Sequence, residues 1–124
     1  MNIIILTNNP MTGKNLSSAG TVINKTGCSH LETLKAARDL IHKGHKLLTH
    51  PVSGSIKPNE TAYKSMALSA DAAGLCLDSL GLIEQAIASC EKFEASKPGR
   101  HWPEKILEDF ALIDYDLIKN ALGG

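Results

Sequence analysis

The chain reads as a small three-layer α/β sandwich, with a short, mostly parallel sheet of three or four strands and helices on both faces. Three observations predict it. The run Ile3-Ile4-Ile5-Leu6 shows no polar alternation and stops at Asn8-Asn9-Pro10, as a strand covered on both sides does. Short apolar runs then alternate with stretches of helical spacing. Finally, 124 residues with 43% hydrophobic and 21% charged content suit one globular domain, residues 1–124, with a single core.

Taken in order, residues 2–7 form the first strand, and the Asn-Asn-Pro turn closes it. A Gly-, Ser- and Asn-rich connection leads to Thr21-Val22-Ile23-Asn24, a second strand ended by Lys25-Thr26-Gly27. Ser29 with Glu32 three residues later is a capping box, and Leu31, Leu34, Ala37 or Arg38, and Ile41 recur at helical spacing until Gly44. This predicts a helix over 30–43. Residues 46–49 are short and tightly bounded, a strand expected to lie parallel to the first one, which delivers His50 into a long polar stretch. Residues 59–68 admit a short helix capped by Asn59 or a turn followed by a strand over 63–68. The alternation of Lys64, Met66 and Leu68 with Tyr63, Ser65 and Ala67 favours the strand. From Asp78 or Ser79 to about residue 95 an amphipathic helix carries Leu80, Ile83, Ala86 or Ile87, Cys90 and Phe93 on one face, and Lys97-Pro98-Gly99 ends it. Trp102-Pro103 opens a last helical segment with a break expected near Asp114, and Gly123-Gly124 closes the chain.

Composition excludes several classes of function. Thirteen basic residues balance thirteen acidic ones and the signs are interspersed, so no basic stripe is available for nucleic acid. No apolar run approaches the ~20 residues of a membrane span. The N-terminus lacks the pattern of an export leader, which predicts a cytoplasmic protein. Cys28, Cys76 and Cys90 are widely spaced and odd in number, arguing against a disulfide framework or a structural zinc site. The phosphate-loop pattern is missing too, Gly13-Lys14 being only a fragment of it, and no cofactor is expected.

In an open α/β sheet, ligands bind beyond the carboxyl ends of the strands. Two strands here end in polar signals, Thr7-Asn8-Asn9-Pro10 and His50-Pro51-Val52-Ser53-Gly54-Ser55. If those strands are parallel neighbours, their exits share one rim. Ser53-Gly54-Ser55 can turn backbone N–H groups and hydroxyls toward one point, and Lys57 adds positive charge, a combination suited to phosphate or carboxylate. The plainer alternative is a flexible turn. A hydrolytic reading makes Ser53 or Ser55 the nucleophile, His50 its base, and Asp71 or Glu60 the group that orients the imidazole. Residues so close in sequence seldom reach that geometry, and Gly-x-Ser-x-Gly is missing. A metal would recruit His42, His45, His50 and one of His30 or His101, yet His42 and His45 straddle Gly44 at a helix end, where cationic His suits the helix dipole. No metal is expected. Cys28 precedes a helix start, where a thiol is easily activated, although a small half-buried residue is the commoner reading. Cys76 and Cys90 read as core. Tyr63, Trp102 and Tyr115 read as packing or rim contacts, and Glu60 with Lys64 would be an i,i+4 pair if that stretch were helical and are otherwise free to bind a ligand.

Two segments carry a family resemblance. Residues 2–10, Asn-Ile-Ile-Ile-Leu-Thr-Asn-Asn-Pro, and residues 46–61, Lys-Leu-Leu-Thr-His-Pro-Val-Ser-Gly-Ser-Ile-Lys-Pro-Asn-Glu-Thr, are similar to the signature stretches of the GrdX family. These small proteins are encoded beside the glycine, sarcosine and betaine reductase genes of amino-acid-fermenting anaerobes. The resemblance implies an accessory role near such a reductase and no catalytic residue. Ala62 departs from the Pro expected after Thr61, which loosens the turn there. The expectation is therefore a protein that binds a small anionic ligand or a reductase subunit through Thr7, Asn8 and Asn9 on one side and His50, Ser53, Gly54, Ser55 and Lys57 on the other, with Asn59, Glu60 and Thr61 following. The competing class is a small hydrolase or transferase acting on an acyl or phosphoryl compound through His50 and Ser53 or Ser55. Exposed Leu and Ile on the last helix would suit a homodimer.

Overall fold

The computed structural model describes residues 3–49, 62–96 and 102–122, with backbone alone over 93–96. Three strands form a mixed sheet in the order β2-β1-β3, where β1 is Ile3–Thr7, β2 is Thr21–Asn24 and β3 is Ser65–Ser69. β1 and β2 are parallel, with Leu6 opposite Ile23. β1 and β3 are antiparallel, with Leu6 opposite Met66 and Thr7 opposite Ser65. The α/β sandwich is as the sequence predicts, except that the strand on this side of β1 reverses direction.

Side-chain alternation along the strands sorts the two faces. Ile4, Leu6, Met66 and Leu68 join one core with Leu34, Ala37 and Ile41 of α2 (His30–His42) and Ile83, Ala86, Ile87 and Cys90 of α3 (Leu77–Ser96). Each of the large ones is stabilised by roughly 1.5–3 kcal/mol through its burial. The opposite face carries Ile5, Thr7, Ser65 and Ala67 and is covered by α1 (Pro10–Asn15) and α4 (Glu104–Ala121). Of the two positions the periodicity left open on α2, Ala37 enters the core, while Arg38 turns outward to Glu84 at 3.0 Å.

Local chemistry explains the ends of α2. Ser29 Oγ accepts from Glu32 N–H at 3.0 Å, and the Glu32 carboxylate accepts from Ser29 N–H at 2.9 Å, closing the capping box. At the other end Gly44 adopts φ +106°, and an added Cβ would lie 2.9 Å from the backbone nitrogen of Gly74. Only glycine serves both the left-handed turn and the close crossing.

Four expectations need correction. The segment 10–15 is a helix: Asn9 Oδ1 accepts from Met11 N–H at 3.0 Å and Pro10 occupies the first turn, so Asn-Pro here starts a helix. Residues 46–49 do not lie beside β1. Leu47 bridges Leu68 antiparallel, and Leu48 N–H donates to Ala67 O at 2.8 Å on the outer side of β3. The segment thus runs in the same direction as β1 with β3 between them. Burial explains the order: β3 is covered on both faces over 65–68, as a central strand requires, whereas Lys46 and Leu48 are exposed, as an edge permits. The last helix does not break at Asp114; α4 runs through it. Cys76 is half-exposed just ahead of α3, while Cys90 is core as expected. Among the described residues, no helix is long and apolar enough to cross a membrane.

Candidate functional site

The site is built where β1 stops and β3 begins. Thr7 and Ser65 are register partners on the same face of the sheet, and their hydroxyl oxygens lie 2.7 Å apart. Thr12 from α1 and Asp114 from α4 close on them from the covering layer. Ser65 uses its backbone N–H and its hydroxyl on the two oxygens of Asp114, at 3.0 and 2.5 Å, and Asn9 Nδ2 donates to Asp114 Oδ2 at 3.0 Å. Ser65 has a single proton, and the carboxylate is its strongest acceptor, so in the 3.1 Å contact with Thr12 and in the contact with Thr7 the Ser65 oxygen accepts. Thr7 Oγ1 in turn accepts from Asn9 N–H at 2.9 Å. Thr7, Asn9 and Thr12 are fully buried, and Ser65 and Asp114 nearly so. A buried polar group tolerates such a place only when its partners are complete, as they are here.

Asn8 performs a second task. Its amide nitrogen donates to Cys28 O at 2.9 Å and Ala62 O at 3.0 Å, while its side-chain oxygen accepts from Lys64 N–H at 2.8 Å. One side chain thus fixes the start of the helical half and the strand leading into β3. Thr49 bonds farther along β3 and on its outer side, its Oγ1 accepting from Ala67 N–H at 3.1 Å, while Ala62 stands at the β1 exit through Asn8.

Lys64 is the charged group of this rim. Only 7% of it is exposed. Burial holds its amine below the ordinary lysine range, while the nearby Asp114 carboxylate pulls the other way. Among the described residues the ammonium makes no hydrogen bond and no ion pair.

The residues proposed from sequence divide into two groups. Thr7, Asn8 and Asn9 stand at the rim with side chains bonded to the protein itself. His50, Ser53, Gly54, Ser55, Lys57, Asn59, Glu60 and Thr61 lie outside the described residues, as does His101. Asp71 follows Ser69 at the opposite end of the sheet, about 13 Å along β3 from Ser65, and cannot orient a base at this rim. Residues 62–64 precede β3 outside any helix, and Glu60 lies outside the described residues. Because β3 intervenes, the exits of β1 and of 46–49 are neither adjacent nor opposed: they share one end of the sheet about 10 Å apart, two strand spacings. His30 and His42 are the first and last residues of α2, and His45 Nδ1 sits 2.8 Å from Ser69 O. Among the described residues, no group of three His, Cys, Asp or Glu could hold a metal ion.

Sequence reasoning named Lys64 only as free to bind a ligand outside a helix, and missed Thr12, Ser65 and Asp114. One signal could have found the last. Leu107, Ala111, Asp114 and Ile118 fall on a single helical stripe, so the aspartate occupies an inward position that an unpaired carboxylate would not tolerate.

Comparison with known proteins gives one finding. Residues 4–123 match the family model described as GrdX-like protein. No curated protein and no solved structure matches the chain.

Proposed function

We propose that this chain, which belongs to the GrdX-like protein family, is a cytoplasmic accessory protein of glycine, sarcosine and betaine reductase systems that binds a small anionic ligand. Its site is the rim around Asn8 and Lys64 together with residues 50–61. The observation that carries this reading is the meeting of Asn8, Ala62 and the buried Lys64 at the β1 exit, where the polar segment ends. That segment, with Ser53, Gly54, Ser55 and Lys57, has the donors and the charge an anion needs. The reductase context comes with the family resemblance.

A thermal-shift panel of phosphate, acetyl phosphate, amino acids and nucleotides tests the reading. A bound anion raises the midpoint by mass action, about 2.7 kcal/mol at a hundredfold excess over Kd. An unchanged midpoint with every compound overturns the small-ligand role and leaves a reductase subunit as the partner to seek by direct binding.

A further inference from the structure

Building on the reading of the rim as an anion site, we infer that Lys64 is the counter-charge of that site and that its ligand is a small monoanionic carboxylate. The inference starts from an imbalance of partners. Asn8, Asn9, Thr7 and Ser65 all reach protein acceptors or donors, and the backbone of Lys64 is held on both sides by Asn8, with Lys64 N–H to Asn8 Oδ1 at 2.8 Å and Asn8 N–H to Lys64 O at 3.4 Å. The side chain is different. It is 7% exposed and carries three ammonium donors, none of which meets an acceptor among the described residues. Taking such a group out of water is costly unless an acceptor is supplied.

The one carboxylate that acts on Lys64 does not answer for it. Asp114 lies beyond ion-pair distance and already accepts three bonds from Ser65 and Asn9. What Asp114 does is set the charge the site can take. With Lys64 and Asp114 together near neutral, one added negative charge is offset mainly by the lysine, whereas a dianion adds a second charge facing Asp114 in a poorly hydrated place. A carboxylate, with two acceptor oxygens and one charge, fits; a phosphate or sulfate dianion is opposed.

The test uses the full chain as wild type, Lys64→Met and Lys64→Arg, with acetate and formate as carboxylate probes and phosphate and sulfate as dianions. The readouts are the thermal midpoint and the NMR shift of the Lys64 Cε protons and carbon. Acetate is expected to raise the wild-type midpoint and move the Lys64 signal, and Lys64→Met to weaken acetate at least about tenfold. Lys64→Met keeps the aliphatic stem and sheds the buried charge, so it should fold; the signal in wild type decides the matter if it does not. Equal stabilisation of wild type and Lys64→Met, or a Lys64 signal that acetate does not move, overturns the role of the lysine. Phosphate and sulfate binding without carboxylate binding overturns the ligand class and leaves the anion site standing. Binding of none of the four probes removes both.

Discussion

Ser65 Oγ lies 2.5 Å from Asp114 Oδ2, tying β3 to α4 across 49 residues of chain. Ser65 N–H reaches the other carboxylate oxygen, so residue 65 grips Asp114 with two donors. The pair fastens the covering helix to the sheet at the end where the candidate site stands. The other buried positions of the helix are the small Ala111 and the single large apolar Ile118.

Asp114→Ala should therefore be among the more damaging single changes in α4. It leaves two donors of Ser65 and one of Asn9 without an acceptor in a buried place, a loss of about 3 kcal/mol, or roughly 10 °C in the thermal midpoint of a chain this size. Ser65→Ala removes one donor and costs less, and the double variant should show coupling of about 1 kcal/mol or more. Chemical denaturation of the four proteins measures this. Additive losses would mean that the contact holds nothing together.

The start of α2 offers a test with a pH signature. Ser29→Ala should cost about 1 kcal/mol through loss of the cap. The Glu32 carboxyl is held below its ordinary value of 4.5 by Ser29 N–H first and the Ser29 hydroxyl second. A depressed carboxyl pKa means the folded state binds the proton less readily than the unfolded chain. Its contribution is complete above the ordinary value and is lost as pH falls through the lowered one. Glu32→Ala should accordingly reduce the midpoint at neutral pH and match wild type once the pH has fallen below the lowered value. A cost that persists unchanged into acid would assign it to helix propensity instead.

Cys76 is the thiol to watch. Ser79, through its hydroxyl and then its N–H, lowers the thiol pKa at the start of α3, with smaller help from Asp78 N–H and the charge of Lys46. At neutral pH an alkylating reagent should modify Cys76 well before Cys90, which is buried in the core. Peptide mass mapping after brief treatment with iodoacetamide reads the order directly. Modification of Cys90 first would contradict both the exposure and the lowered pKa of Cys76.

Much of this architecture is legible in local signals. The Ile3-Ile4-Ile5-Leu6 run, the Ser29/Glu32 box and the Gly44 stop each depend on residues within a few positions of one another, and each element forms where those residues stand. Asn8-Asn9-Pro10 misleads because an Asn-Pro turn and an Asn-capped helix share the same letters, and only the acceptor reached by Met11 N–H separates them.

By itself, the sequence determined the three strands of the sheet, the long helices, the family and the polar segment, because periodicity and capping are short-range physics, though it also expected a strand at 46–49 where there is only an isolated bridge. Tertiary structure alone decided that β3 lies between β1 and residues 46–49, and that Thr7, Thr12, Ser65 and Asp114 share one buried cluster beside Lys64. Strand order follows from which segment can be covered on both faces, and hydrogen-bond partners as far apart as 105 positions follow from how helices settle on the sheet. Neither quantity belongs to any stretch of chain taken alone.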